Sequence, residues 1–341
     1  MTPKLPAEIV SAVPVRLDVH IGPSDAAAEL RSDVRRGLTS VPKTLPPKWF
    51  YDARGTELFD EITRLPEYYL TRRERVILED RAEAIADLTG AYVLVELGAG
   101  ICTKSPILLD AMAARGSLSV FVPFDASEAA LREAAGPIVA AYPGLSFHGI
   151  VGDFERDLRL LPHPSDGTVG GRRRLVAFLG STIGNLVPAE RAAFLGELAS
   201  VMDPGDAFLL GTDLVKDPRR LEAAYDDAAG VTAAFNRNLL SVLNRELGAG
   251  FVPHRFEHVA FFDRENEWIE MRLRSTGSQV VPVRALSLEV TFESGEELRT
   301  EISAKFRREG VQAELAAAGL ELARWWTDPD GDFALSLSFR R

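Results

Sequence analysis

The feature that most limits the possible folds of this chain is an alternation of short apolar runs and helical patterns between residues 91 and 210. Apolar runs of strand length lie at 91–97, 119–125, 145–151, 174–179 and 206–210. Helical patterns separate them at 108–115, 127–141 and 188–201. Strands that are joined by helices of this length need right-handed crossovers and therefore lie parallel. The alternation predicts a doubly wound α/β sheet.

The regions on either side of this alternation have a different character. Residues 26–69 combine helical segments with several prolines, whereas residues 217–247 are helical in pattern. Strand-like runs then follow at 255–262, 268–275 and 290–293. Because these segments do not alternate regularly, they favour a separate α+β region.

The end of the chain returns to the α/β pattern. A helical segment lies at 309–318, and strand patterns lie at 320–326 and 333–339. We therefore expect a sheet domain formed by residues 71–214 and completed by residues 305–341. The N-terminal helices in residues 1–70 and an insertion at 215–304 would form the second domain.

Charge and cysteine content exclude several classes of protein. The chain has 39 Lys and Arg against 50 Asp and Glu, a net charge of −11, whereas nucleic-acid binding requires clustered positive charge. Its single cysteine, Cys102, cannot form a disulfide within the chain. No apolar run reaches the roughly 18 residues of a membrane span, and prolines interrupt the N-terminus. We expect a cytoplasmic protein with a loose tail over 1–21 and with no metal, nucleic-acid or membrane partner.

The first predicted strand ends in the glycine turn ELGAG at 96–100. Gly98 and Gly100 allow the backbone to turn sharply and to approach a ligand without side chains in the way. A dinucleotide site usually continues to a third glycine, but residue 103 is Thr, and the acidic Glu96 does not suit a pyrophosphate. The pattern favours a cofactor with a cationic end, such as S-adenosylmethionine.

Two aspartates end the next two predicted strands. Asp125 stands where a carboxylate accepts hydrogen bonds from ribose hydroxyls, and Asp153 and Phe154 follow the third strand, where they could contact an adenine. Each aspartate alone could be only a helix cap or turn residue. Because parallel strands bring their carboxyl ends to one edge, the set predicts a Rossmann-like, class I methyltransferase core. The loop at 180–185 lacks the Asn/Asp-Pro-Pro-aromatic signature of nucleic-acid amine methyltransferases, which makes a nucleobase substrate less favoured.

Longer strings resemble the histidine N-alpha-methyltransferases of ergothioneine biosynthesis. They are PPKWFYD, TRLPEYY, GSTIGN, AYDDAAGVTAAFN, EISAKF and WWTDP, and the resemblance runs from about residue 30 to the end. It implies the transfer of three methyl groups, from three S-adenosylmethionine molecules, to the α-amine of L-histidine, which gives hercynine. The alternatives are a methyltransferase for another aromatic amino acid or amine, and a non-catalytic regulator that binds S-adenosylmethionine.

The resemblance also implies roles for individual residues. The positions that match cofactor-binding residues are Tyr51, Gly98, Lys104, Asp125, Asp153 and Phe154. Those that match residues holding the substrate carboxylate and amine are Tyr68, Asn185 and Tyr225, and those that match the imidazole pair are Glu301 and Ser303. Tyr51 and Asn185 would act at the reacting amine. Weaker matches to lining positions are Phe59, Gly180, Thr232 and Met271. Four positions differ from the residues that are usual in the family, which affects loop geometry more than polar chemistry. They are Leu70, Ala99, Ile101 and Cys102.

The chemistry of methyl transfer to an amine suits these residue types. The amine must be neutral, because an ammonium has no lone pair, and neutral groups such as Tyr51 and Asn185 can hold it. Hydroxyls and an amide can bind a carboxylate without a buried cation, so we expect none near the sulfonium. Glu301 and Ser303 are two residues apart and share one face of an extended segment. Without the resemblance, core packing is the more frequent role of tyrosines such as Tyr68 and Tyr225, a solvated charge is the favoured interpretation of Glu301, and Lys104 could simply be solvated on its helix. We expect the chain to act as a monomer.

Overall fold

The fold is built on fourteen strands and nine α-helices among residues 15–162 and 172–341, which the computed structural model describes. The strands are β1 (Val15–Val19), β2 (Lys43–Thr44), β3 (Val93–Leu97), β4 (Val120–Asp125), β5 (Ser146–Val151), β6 (Arg174–Phe178), β7 (Ala207–Asp213), β8 (Phe256–Asp263), β9 (Trp268–Ser275), β10 (Gln279–Val283), β11 (Leu288–Phe292), β12 (Glu297–Ala304), β13 (Leu320–Thr327) and β14 (Phe333–Arg340). The helices are α1 (Pro23–Thr39), α2 (Ala53–Arg64), α3 (Leu70–Thr89), α4 (Ser105–Ala114), α5 (Glu128–Ala141), α6 (Pro188–Val201), α7 (Pro218–Tyr225), α8 (Val231–Leu247) and α9 (Arg308–Ala317). None of the described helices is both long and apolar enough to cross a membrane.

Eight strands form one large sheet in the order β1-β5-β4-β3-β6-β7-β14-β13. The strands from β1 to β7 in this order are parallel, and β14 pairs antiparallel with both β7 and β13. Leu97 lies opposite Phe124 and Phe178, so β3, β4 and β6 end at the same edge. The predicted doubly wound α/β sheet is confirmed, and its carboxyl edge brings the three predicted loops together.

The central strands are buried on both faces. Leu94 packs with Phe121 in one apolar cluster, whereas its neighbour Val95 packs with Val122 in another. Side chains alternate between the faces of a strand, so helices covering both faces require a continuous apolar run rather than an alternating one. This burial explains why the apolar runs in the sequence located these strands so closely.

A second sheet has four strands in the order β2-β12-β9-β8. Strands β10 and β11 form a separate antiparallel hairpin. The inserted segment leaves and rejoins the large sheet at one place, because Leu214 forms a parallel bridge with Phe306 and the Phe306 N–H donates to the Asp213 carbonyl at 2.8 Å. The division into two domains with the stated boundaries stays a prediction.

The N-terminal segment differs from the expected loose tail over 1–21. Val15–Val19 is a strand that pairs with β5 at the edge of the large sheet, so that part of the expectation is wrong. Segment 1–70 therefore contributes to both sheets, since β1 belongs to the large sheet and β2 pairs with β12 in the smaller one. Of the alternating apolar residues in VRLDV, Leu17 packs against the core, whereas Val15 and Val19 are exposed. Residues 1–14 lie outside the described residues.

Candidate active site

The glycine turn after β3 is held in place by Asp125. Gly98 and Gly100 have φ values of +67° and +52°, in the left-handed region that favours glycine. The Gly100 N–H donates to Asp125 Oδ2 at 2.8 Å, and the Ser127 N–H donates to Oδ1 at 2.8 Å. Burial raises the pKa of Asp125 above its usual value, and the backbone donors oppose that shift. Asp125 therefore fixes the loop and keeps further lone pairs for a ligand.

Asp153 and Phe154 lie at the same edge of the sheet. Asp153 Oδ1 accepts from the Glu155 N–H at 2.9 Å, and Oδ2 lies 3.7 Å from Lys48 Nζ. The Phe154 ring meets Phe178 edge to face, with 5.2 Å between ring centroids. A Cβ atom on Gly98 would lie 3.7 Å from the Phe154 ring. Glycine thus keeps open the space between the turn and this ring.

These groups fit S-adenosylmethionine. The carboxylates of Asp125 and Asp153 are acceptors for hydroxyl and amino hydrogens, and Phe154 offers an aromatic surface. Glu96 adds acidic character beneath the turn: it is buried, accepts from the Ser105 hydroxyl, and has its pKa raised by burial to about 7. The turn therefore combines close backbone approach with groups that favour a cationic ligand.

Lys104 has an unexpected partner in Glu74. The Glu74 carboxylate is fully buried on α3; Oε2 lies 2.5 Å from Lys104 Nζ and Oε1 accepts from the Gly180 N–H at 2.6 Å. Glu74 thus joins the start of α4 to the loop after β6, and Lys104 does not simply solvate its helix. The sequence contained a signal for Glu74, since it lies four residues after the buried Leu70 and four before the buried Leu78 on one helix face.

Aromatic rings connect four of the predicted residues, the three tyrosines and Phe59. Tyr51 lies edge to face with Phe59, at 5.6 Å between centroids, and Phe59 meets Tyr68 at 6.2 Å. Tyr68 meets Tyr225 at 6.3 Å. Phe235 contacts both Tyr51 and Phe59, at 5.7 and 6.0 Å, and was not singled out from the sequence. The predicted tyrosines therefore share one aromatic wall.

Glu301 and Asn185 are brought together by two elements. The loop after β6 packs closely against β12, because a Cβ atom on Gly184 would lie 2.9 Å from the Ala304 carbonyl oxygen. Asn185 on this loop lies close enough to Glu301 for its side-chain amide to lower the pKa of that carboxyl group. Burial raises the pKa of Glu301 to about 7, while Lys305 and Asn185 act to lower it. Glu301 is therefore a half-buried carboxyl group whose pKa lies near neutral, rather than a fully solvated surface charge.

A buried cation lies behind the predicted substrate residues, contrary to expectation. Lys305 Nζ donates to Tyr225 Oη and to Ser303 Oγ, both at 2.9 Å, and lies 3.0 Å from Asp213 Oδ2. Tyr225 Oη and Ser303 Oγ are 2.7 Å apart. Lys305 and Asp213 were both missed, because isolated charged residues in a sequence are most often exposed.

Two of the three remaining predicted lining positions, Met271 and Gly180, lie beside residues of the candidate site. Met271 is buried directly opposite Glu301 in the pairing of β9 with β12. Thr232 lies in the first turn of α8, where its N–H donates to Asp227 Oδ1 at 2.7 Å. Gly180 has φ +79° and lies beside Lys104.

Tyr51 lies within electrostatic reach of both groups of residues. Its pKa is raised by surrounding protein atoms and then by Glu301, Tyr225 and Asp125, although half of the residue is exposed. Glu301 belongs to the predicted imidazole pair, and Asp125 to the cofactor loop. The pKa of Tyr51 is therefore affected by charges from both groups. The roles of the individual residues stay predictions.

The sequence is similar to known methyltransferases along nearly its whole length. A family model described as histidine-specific methyltransferase, SAM-dependent, matches residues 30–340. The histidine N-alpha-methyltransferase of Mycolicibacterium smegmatis is 58% identical over 318 residues, covering 93% of this chain and 97% of that protein. That of Mycobacterium tuberculosis is 54% identical over 319 residues, covering 94% and 97%. Ergothioneine biosynthesis protein 1 of Neurospora crassa is 29% identical over 290 residues, covering 84% of this chain and 32% of that protein.

These similarities agree with the large sheet and with the loops at its carboxyl edge. The Rossmann-like, class I methyltransferase fold is confirmed, and S-adenosylmethionine is the methyl donor. The family model covers far more than half of the chain, and two relatives exceed half identity over almost their full lengths. The chain therefore belongs to the family of histidine-specific, S-adenosylmethionine-dependent methyltransferases.

Proposed function

We propose that this enzyme transfers three methyl groups in turn to the α-amine of L-histidine, giving hercynine for ergothioneine biosynthesis. The names of its relatives support this substrate and pathway. The observation that carries the proposal is that Tyr51, which packs against Phe59 and Phe235, lies within electrostatic reach of both Asp125 on the cofactor loop and the Glu301 carboxyl group. An amine held beside Tyr51 would lie between a methyl donor and a group suited to an imidazole.

The residues at this point can hold a neutral amine. When bound, S-adenosylmethionine supplies an electrophilic methyl group on its sulfonium. Tyr51 stays a neutral phenol near pH 7, because its pKa is raised, so its oxygen can accept from an amine N–H without charge. Asn185 offers an amide to the same site and acts to lower the pKa of Glu301. Fixing the nitrogen in line with the methyl group can contribute about 7–11 kcal/mol to the lowering of the barrier.

The aromatic wall suits the later methylations. Each transfer makes the amino group bulkier and, after the third, permanently cationic. Tyr51, Phe59, Tyr68 and Phe235 present ring surfaces and edges at this place, and aromatic faces stabilise quaternary ammonium groups. The same pocket can therefore retain the mono- and dimethylated intermediates.

Incubation of the purified enzyme with L-histidine and S-adenosylmethionine tests the proposal. Mass spectrometry should detect mono-, di- and trimethylhistidine, with three S-adenosylhomocysteine molecules formed per hercynine. A folded protein that binds S-adenosylmethionine but produces no methylated histidine would contradict the proposal, and absence of any methylated product would indicate a non-catalytic regulator. A parallel panel of other aromatic amino acids and amines separates histidine from an alternative substrate, which would show the higher kcat/KM.

We further propose that the enzyme works as a monomer in the cytoplasm, without a nucleic-acid or membrane partner. A single chain supplies every residue of the site described above, and the one cysteine, Cys102, is buried and free. Light scattering during size-exclusion chromatography should give the mass of one chain, and a dimer mass would contradict this proposal.

A further inference from the structure

The buried ammonium of Lys305 uses all of its hydrogens within the protein. Lysine has three donors and no acceptor. Lys305 Nζ contacts Asp213 Oδ2 at 3.0 Å, Tyr225 Oη at 2.9 Å and Ser303 Oγ at 2.9 Å, and the residue is 3% exposed. None of its donors is therefore left for a ligand, and its influence on the substrate must pass through the two hydroxyl groups.

The position of the ammonium is itself fixed from behind. Asp213 is fully buried; its carboxylate accepts from the Tyr69 hydroxyl at 2.9 Å and also contacts Lys216. The Asp213 N–H donates to the Ser181 hydroxyl at 2.9 Å. These contacts leave the carboxylate little freedom, so Asp213 holds Lys305 Nζ at a constant place below the site.

The hydrogens of the two hydroxyls can be counted. Because Lys305 only donates, Tyr225 Oη and Ser303 Oγ must both accept from it. The two oxygens are 2.7 Å apart, so one hydroxyl hydrogen lies between them. The pair has two hydroxyl hydrogens in all, and a single one is left to face a ligand.

We propose that Lys305 is a positioning residue for the amino-acid substrate, which directs the Tyr225 hydroxyl to donate to the substrate carboxylate and leaves Ser303 to accept from a ring N–H. This inference rests on the proposed function. A carboxylate offers only acceptors, and hydrogen bonds to ionised groups are about twice as strong as neutral ones, so the free hydrogen is best used there. Ser303 then donates to Tyr225, and its oxygen has a second lone pair for an imidazole N–H.

The arrangement links recognition of the two ends of the substrate. A side chain that brings no N–H to Ser303 leaves a buried oxygen underused, which disfavours it. If Ser303 instead turned its hydrogen toward a ring nitrogen, Tyr225 would have to donate to Ser303 and would lose its bond to the carboxylate. Lys305 therefore contributes to the choice of substrate although it does not touch it.

Replacement of Lys305 by Met tests the proposal, since Met has similar length and no donors. The KM for histidine should rise roughly ten- to hundredfold, as expected for lost orientation of a hydrogen bond to a charged group, while the Kd for S-adenosylmethionine changes less than about twofold. A merely structural role would weaken both ligands together and so would overturn the proposal. An unchanged KM for histidine would also overturn it.

A second measurement applies if K305M does not fold, because Asp213 then loses a buried partner. Histidine and histamine, which lacks the carboxylate, are compared by calorimetry on the Tyr225→Phe and Ser303→Ala variants. We expect Y225F to weaken histidine but not histamine, and S303A to weaken both. Equal weakening of histidine and histamine by Y225F would refute the proposed direction of the hydrogen bonds. Wild-type enzyme that does not methylate histidine would instead refute the proposed function.

Discussion

Replacement of Glu74 tests how the loops around the cofactor site are held together. In the Glu74→Gln variant, an amide oxygen can still accept from the Gly180 N–H, but Lys104 loses its counterion. In the Glu74→Ala variant, both partners are lost. The two variants therefore separate the contribution of charge from that of the hydrogen bond to the loop after β6.

The size of each effect follows from burial. Removing one member of a fully buried ion pair costs about 3–5 kcal/mol. The Lys104 side chain is 19% exposed and can regain some water, so we expect the free energy of unfolding to fall by about 2 kcal/mol in E74Q. Ala also leaves the Gly180 N–H without a partner, which adds roughly 1–3 kcal/mol, for a total of about 4 kcal/mol.

Urea denaturation measures these losses, and calorimetry with S-adenosylmethionine shows whether they reach the site. Both variants should bind S-adenosylmethionine more weakly, because Lys104 and Gly180 both adjoin the cofactor loop. Glu79 on the same helix provides the control: its side chain is 58% exposed and 3.9 Å from Arg75, so Glu79→Gln should cost no more than about 0.5 kcal/mol. Equal stability of E74Q and E79Q would refute the reasoning.

Two further predictions concern Glu301 and the glycine turn. The pKa of Glu301 is about 7 when folded against an ordinary 4.5, so the folded state binds more protons between these values, and wild-type stability falls as the pH rises through this window. Glu301→Gln should remove roughly 2–3 kcal/mol of the loss between pH 5 and pH 8, measured by urea denaturation; identical pH dependence in both proteins would contradict this. Gly98→Ala and Gly100→Ala should each cost about 1–2 kcal/mol of stability, because both positions have positive φ. Only the Gly98 variant places a methyl group toward Phe154, so its Kd for S-adenosylmethionine should rise more than that of the Gly100 variant, which is the control. Equal Kd values for the two variants would contradict the assignment of the space between Gly98 and Phe154 to the cofactor.

The sequence predicted the large sheet well because its central strands are buried on both faces. Continuous apolar runs such as that of β3, followed by a glycine turn, allow few other structures. Strand β1 was missed because it is a short edge strand with exposed residues, and its partner β5 lies more than a hundred residues away. Such a pairing leaves little local signal in the sequence.

The candidate site was predictable only in part. Asp125 could be inferred from its place after a strand, whereas Glu301 depended on the family resemblance, since an isolated Glu is usually exposed. Tyr225 is buried like a core aromatic and also forms a hydrogen bond with Ser303, and its role in substrate binding stays a prediction. Glu74 and Lys305 are stabilised by partners distant in the sequence, and such pairs cannot be recognised from either residue alone.

The bridge between Leu214 and Phe306 has a consequence for how such enzymes can diversify. The inserted segment enters and leaves the large sheet at hydrogen-bonded neighbours, so its two ends lie side by side. We call this segment, residues 215–304, the cassette. Exchange of the cassette would not alter the register of any strand in the large sheet. Asp213 and Lys305 lie at the two ends of this junction, so a transplanted cassette would meet the same buried ion pair. Exchange at this junction would therefore replace the strand that carries Glu301 and Ser303 and leave Asp125 and Asp153 in place, provided that the new segment still pairs with β2.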